Sequence, residues 1–262
     1  MDPRDVTVLL ILIAGVVVSA WLKKLTPAAA ITGGLLGWAI YTGVGYAGLI
    51  LLALFFITGT AATSWKKKEK LQFKGAAAHQ STRHTGQVIA NAGVAAIAGL
   101  LAALNPACRS LFFLMVAGAL SSATADTLSS ELGMVYGRRF FNILNWKPDK
   151  RGLDGVISVE GLVIGMAGSA LIALAYGLCM NWDPRFTWTP LSGWDPHFAR
   201  TLRSAWDSRV LIIVLAGTIG NLVDSYLGAL FERRGLLSND AVNFLNTLIA
   251  AACAGALAGF RC

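Results

Sequence analysis

The chain has 262 residues, of which 55% are hydrophobic and only 14% charged, with a net charge of +8. Charge-free runs such as 6–20 and 46–60 approach the roughly 20 apolar residues that a membrane-spanning helix needs, which excludes an ordinary water-soluble domain. Alternating segments of about ten residues, the mark of a membrane β-barrel, are absent.

The expected fold class is therefore all-α: a polytopic membrane bundle of about eight transmembrane helices, forming one domain over 1–262. Apolar segments lie at about 6–22, 27–44, 46–64, 86–104, 110–134, 156–180, 209–231 and 240–260. The first follows Asp2, Arg4 and Asp5 and ends at no small-residue cleavage site, so it reads as a retained helix rather than a signal peptide. The second and third share a 38-residue stretch, split at Gly43-Val44-Gly45, a plausible tight turn. Glycines inside spans, among them Gly93, Gly99, Gly161, Gly165 and Gly168, suit close helix packing.

Basic residues cluster in four loops. Lys23 and Lys24 close the first span, and Lys66, Lys67, Lys68, Lys70, Lys74 and Arg83 follow the third. Arg138, Arg139, Lys147, Lys150 and Arg151 follow the fifth, and Arg233 and Arg234 the seventh. With eight spans all four loops share one side, which the positive-inside rule makes the cytosol. Both termini are then expected outside, in a membrane that reads as a prokaryotic inner membrane because no transit peptide is evident. The rule also accounts for the positive balance without a nucleic-acid partner. The loop at 181–208 carries Trp182, Trp188, Trp194 and Trp206, either an interfacial aromatic belt or a substrate lid. The four cysteines form no CxxC pair and no Cys/His cluster, so neither a zinc site nor a disulfide framework is expected. His79, His84 and His197 show no metal-ligand spacing.

Against this apolar background the polar residues stand out. Gln87 and Asn91 share a face at the start of the fourth span, as do Asp126, Ser129 and Ser130 on the fifth, where Glu131 follows. Asp154, Ser158 and Glu160 open the sixth, and Asn221, Asp224 and Ser225 sit on the seventh. Asn239, Asn243 and Asn246 form a stripe on the eighth. Ionisable groups within a span are costly and usually face an interior or a water-filled site. Asp126, Asp224, Asn91 and Asn243 each lie 8 to 12 residues from a cytosolic charge, or roughly 12–18 Å along a helix, so they share one depth. A basin of carboxylates, carboxamides and hydroxyls rimmed by cations suits a magnesium-bound phosphate, because Mg²⁺ favours one or two carboxylates together with substrate phosphates and water. The competing reading is structural: an Asn within a span also serves as glue between helices, and a buried Asp as a hydrogen-bonded core residue. No G-x-x-x-x-G-K-[ST] occurs, so the nucleotide grip is not a P-loop. No G-x-S-x-G elbow occurs either.

Five ordered motifs carry a family resemblance: T-G-Q-V-I-A-N (85–91), A-D-T-L-S-S-E-L-G (125–133), D-G-V-I-S-V-E-G (154–161), G-N-L-V-D-S-Y-L-G-A (220–229) and N-D-A-V-N-F-L-N-T (239–247). Together they resemble the integral-membrane family typified by transmembrane protein nineteen, which includes the plant and cyanobacterial phytyl-phosphate kinases. More distantly they resemble polyprenol kinases and phosphatidate cytidylyltransferases. The resemblance implies a membrane-bound kinase that converts an isoprenoid monophosphate to the diphosphate, using Mg²⁺ and a nucleoside triphosphate (CTP or ATP). It maps function onto Asp126, Glu131, Asn221, Asp224 and Asn243; Asp154 departs from the small or amide residue expected there.

On this reading Asp126, Asp224 and Glu131 hold the metal, and Asn243 joins them in catalysis. Lys74, Arg83, Gln87, Asn91, Ser130, Ser158, Asn221, Ser225 and Asn246 bind substrate and nucleotide. The lipid partner is an isoprenoid phosphate within the membrane. The alternative is a transporter or scramblase of a lipid phosphate or small anion.

Overall fold

A computed structural model describes residues 2–72, 82–180 and 208–259. Lys74 and the four tryptophans of the 181–208 loop lie outside these residues. The elements are α1 (Pro3–Trp21), α2 (Pro27–Ser64), the short α3 (Lys67–Leu71), α4 (Thr85–Leu104), α5 (Arg109–Tyr136), β1 (Phe141–Asn142), β2 (Val156–Ile157), α6 (Val159–Met180), α7 (Ser208–Leu227) and α8 (Asn239–Leu257). All the helices except α3 are long and apolar enough to cross a membrane.

Helix α2 is two spans in one. As a straight helix its 38 residues would reach roughly 57 Å, nearly twice the hydrocarbon thickness. Gly45 breaks it, with φ 69° and ψ −156°, a left-handed backbone that glycine adopts without a Cβ clash. The halves fold back on each other, so a Cβ on Gly37 would lie 3.4 Å from Leu52. Lys24, just before α2, donates from Nζ to Ser64 Oγ at its far end at 3.1 Å. The expected Gly-Val-Gly turn is therefore present, and with α2 counted as two spans the seven long apolar helices supply the eight expected.

Caps fix several helix starts. Asp2 accepts from Arg4 N at 3.0 Å with Pro3 at the first helical position, Thr26 accepts from Ala29 N ahead of Pro27, and Ser238 accepts from Ala241 N ahead of α8. Each satisfies one of the backbone donors left open at a helix start. The sixth span begins at Val159 rather than near 156, because 156–157 pair antiparallel with 141–142. Ser158 Oγ then accepts from Gly161 N at 3.1 Å.

Helix α5 is central, packing against α2, α4, α6, α7 and α8. The core fills the bundle with buried Leu51, Phe113, Leu120, Ile172, Tyr176 and Ile213, and the Phe113 and Tyr176 rings meet at 4.6 Å between centroids. Helix α1 packs mainly on α2 and leaves Leu10, Ile11, Val17 and Trp21 exposed, as a lipid-facing helix would. Cys108, between α4 and α5, is disulfide-bonded, where no disulfide framework was expected; Cys179 and Cys253 are free thiols.

Candidate functional site

The ends of the helices beside the basic loops enclose a polar cavity of about 810 Å³. Its wall takes residues from the α1–α2 connection, the end of α2, the start of α4, the end of α5, the 152–158 loop, the end of α7 and the start of α8. Of the residues expected at the site, Arg83, Gln87, Asn91, Asp126, Ser130, Glu131, Ser158, Asn221, Asp224, Ser225 and Asn243 all line it. Residues from five separate motifs thus meet in one space.

Asp126 of α5 and Asp224 of α7 both line this cavity, close enough for their side chains to interact. Two carboxyl groups that close require a shared proton or a cation between them, because two bare negative charges repel. Asn246 stands behind Asp224. It is fully buried, and its Nδ2 donates to Asp224 Oδ1 at 2.6 Å, while Ser122 Oγ donates to Asn246 Oδ1 at 3.0 Å. Asn243 Nδ2 donates to Asn239 Oδ1 at 3.0 Å. The asparagine stripe is therefore a hydrogen-bonded chain, in which Asn243 faces the cavity and Asn246 lies one layer behind it. Asn221 is 1% exposed, and its Nδ2 makes no hydrogen bond among the described residues.

Glu131 is placed differently from the two aspartates. Its Oε2 accepts from Lys70 Nζ, which also donates to the carbonyls of Ala62 at 2.8 Å and Thr63 at 3.0 Å. Lys70 is 4% exposed, so α3 plugs its one buried cation into the junction of α2 and α5. Arg83 lies near Glu131. Burial pulls the Arg83 pKa below its ordinary value and the Glu131 charge pulls it up, but a guanidinium is basic enough to remain charged.

The 137–158 loop contributes Phe140 and residues 152–158 to the lining. Gly155, with φ 72°, lies against Ala229, where a Cβ would come within 2.2 Å of the Ala229 Cβ, so only glycine lets the loop close there. Arg151 donates to Gly137 O at 3.0 Å and stacks over Phe140 at 4.6 Å. Arg233 donates to Asp149 at 2.9 Å, tying the loop to the end of α7. The Lys150 backbone N–H, then Arg233 and Asn142, hold the Asp149 carboxyl below its usual range. Beyond Asp224, Gly228–Glu232 winds as a π-helix, a local feature frequent at functional sites. Here it accompanies the presentation of Glu232 to the cavity.

The profile of the family described as integral membrane protein DUF92 matches residues 10–251. The chain belongs to this family. All five motifs lie inside the matched residues, and the resemblance they carry holds. Among curated relatives, the uncharacterized membrane protein sll0875 of Synechocystis is 29% identical over 235 residues, covering 88% of this chain and 82% of its own. The uncharacterized membrane protein MJ0933 of Methanocaldococcus jannaschii is also 29% identical, over 84% of this chain and 79% of its own. Protein VTE6, chloroplastic, of Arabidopsis thaliana is 29% identical over 84% of this chain and 60% of its own length. No solved structure matches.

Some residues of the cavity had not been placed at the site from the sequence. Lys24, Asp154, Glu232 and Asp240 also line the cavity, and the charges of Asp154, Asp224 and Asp240 all reach Glu232. His84 Nδ1 lies 3.8 Å from Asp240 Oδ2. Conversely, Glu160 accepts from the Arg138 backbone N–H at 3.3 Å and is not part of the cavity lining. Among the described residues no three His, Cys, Asp or Glu side chains form a ready-made metal cage. An Asp pair among carboxamides and hydroxyls nevertheless fits Mg²⁺, which keeps several waters and takes its remaining ligands from substrate phosphates.

Proposed function

We propose that this protein is a membrane-bound prenyl-phosphate kinase, transferring a phosphoryl group from a nucleoside triphosphate to an isoprenoid monophosphate at the face bearing the basic loops. The observation that carries this reading is the meeting of Asp126 and Asp224, 98 residues apart in sequence, inside a polar cavity at one end of an apolar bundle. Membership in the DUF92 family, with VTE6 among the relatives, supports it.

Asp126 and Asp224 would hold Mg²⁺, whose contribution is to neutralise charge on the phosphates. Asn246 fixes the orientation of Asp224, and Asn243, Asn221 and Asn91 offer amides to phosphate oxygens. Arg83 supplies a fixed positive charge. A phosphate nucleophile is already anionic at neutral pH, so alignment and charge neutralisation dominate and no general base is required. The isoprenoid tail would remain in the membrane while its headgroup enters the cavity.

Transport of a lipid phosphate is the competing reading. The packed core around Phe113, Ile172, Tyr176 and Ile213 fills the bundle beyond the cavity, which weighs against a through-path. Purified protein in detergent, offered a panel of prenyl monophosphates with each nucleoside triphosphate and Mg²⁺, tests the proposal. Prenyl diphosphate is the expected product. No turnover across the panel, together with lipid-phosphate movement in proteoliposomes, would establish the transporter instead.

A further inference from the structure

We propose that Lys24 and Arg83 together form a phosphate-binding subsite on the cavity wall made by the α1–α2 connection, the end of α2 and the approach to α4. This deepens the kinase reading by locating a phosphate, and it adds Lys24, which no motif marks.

The two cations are brought together by the backbone. Residues 24–26 and 82–84 form a short strap: Arg83 N donates to Lys24 O at 3.0 Å, Thr26 N donates to Arg83 O at 3.1 Å, and Leu25 and Arg83 are paired in a parallel bridge. Thr82 Oγ1 adds a bond to Lys23 O at 2.9 Å. Sequence positions nearly sixty apart are thus held in register, and both cationic side chains reach the cavity. Such a strap is not needed for membrane orientation, since loop charges set topology without fixed geometry.

The side chains are also supported. The Arg83 guanidinium lies over the Phe55 ring at 5.5 Å from its centroid, and a Cβ on Gly59 would come within 2.9 Å of its Nη2. Lys24 Nζ gives one hydrogen bond to Ser64 Oγ, and an ammonium has three protons to give. Thr60, Thr63 and Ser64 bring hydroxyls to the same wall. Two acids lie beside this wall: Glu131 is paired with buried Lys70, and Asp240 lies 3.8 Å from His84 Nδ1. Each has a basic side chain other than Lys24 beside it.

A planar guanidinium beside a point-charge ammonium is a combination suited to phosphate oxygens. The ligand is thus a phosphate monoester or polyphosphate, supplied either by the nucleotide or by the lipid headgroup.

Binding of sodium tripolyphosphate, and separately of a prenyl monophosphate in detergent micelles, is to be measured by titration calorimetry on the purified full chain. Lys24→Met is expected to weaken one ligand by about tenfold, equivalent to about 1.4 kcal/mol, while Lys24→Arg stays within about threefold of the parent. Loss confined to tripolyphosphate identifies nucleotide phosphate as the occupant, and loss confined to prenyl monophosphate identifies the headgroup. If Lys24→Met does not fold, Lys24→Gln, which can still donate to Ser64, carries the same expectation. Affinities for both ligands within about twofold of the parent would overturn the subsite, as would a parent protein that binds neither. The readout is binding rather than turnover. A Lys24-dependent affinity without kinase activity would therefore retain the subsite and reject the reaction, and turnover without Lys24 dependence would do the reverse.

Discussion

Asn246 donates a 2.6 Å hydrogen bond to Asp224 while accepting one from Ser122, from a position with no solvent exposure. The bond crosses from α8 to α7 and the acceptance from α5 to α8, so one carboxamide pins three helices and aims the carboxylate at the cavity. On sequence grounds Asn246 could have served only to join helices; its bond to Asp224 leads us to expect a positioning role as well. Asn246→Ala is expected to cost about 0.6 kcal/mol of stability, typical of membrane hydrogen bonds, and to lower turnover about tenfold. Asn246→Gln, a longer amide in a full space, should not restore it. Thermal melting and turnover measured on one preparation decide the matter: normal turnover in Asn246→Ala makes the residue purely structural.

Asn243 has the complementary expectation. It sits at the cavity wall and bonds along its own helix to Asn239, so its removal should hardly change the melting temperature. Turnover by Asn243→Ala should fall by roughly ten- to a thousandfold, the range for losing one preorganised donor. A less stable protein with full turnover would take Asn243 out of the site.

Asp126→Asn and Asp224→Asn should each remove activity while the protein still folds and inserts. The amides keep the shape of the pair but lose the charge a divalent ion needs, and they lighten the cost of carrying carboxylates within the membrane. Either variant is therefore expected to be at least as stable as the parent. Full turnover in one of them would exclude a shared metal; loss of folding would point to a structural carboxyl pair.

The Lys70–Glu131 pair predicts a stability effect and its repair. Lys70→Met leaves a carboxylate without its buried partner, which should cost about 3–5 kcal/mol. Adding Glu131→Gln should recover part of that, because the carboxylate that has lost Lys70 is gone while the neutral amide keeps its shape. Denaturation of the two single variants and the double variant forms a cycle, and simple additivity would show that the pair is not coupled.

The hairpin at Gly45 sets the topology. In a background otherwise lacking cysteine, Lys68→Cys and Lys150→Cys should label from the cytosolic side and Asn105→Cys from the opposite side. Labelling of positions 68 and 150 from different sides would refute the even number of crossings.

The parts of this site that were legible in the sequence share one property: they are polar where lipid should exclude polarity. Asp126, Asp224, Asn221 and the asparagine stripe were visible for that reason, and their common depth followed from helical rise. The Gly-Val-Gly turn was legible because α2 is otherwise too long for one crossing. Lys24, Lys70, Glu232 and Asp240 were hidden because a charge at a membrane face costs little and is ordinarily explained by topology. The strap between 24–26 and 82–84 and the 141–142/156–157 pairing involve too few residues to show a period. The expected metal role of Glu131 rested on its motif, which gave no sign that Lys70, 61 residues earlier, would reach it.

One consequence of the fold-back at Gly45 is practical. It makes the number of crossings even, so the start of α1 and the end of α8 emerge at the same end of the molecule. Lys24 and Asn243, near the other ends of those two helices, line the cavity. A 19-residue helix is about 28 Å long, and α1 and α8 each have 19 residues. An affinity tag or fluorophore attached near either terminus is therefore held about a membrane's thickness from the cavity, and one attached at both reports on a single compartment.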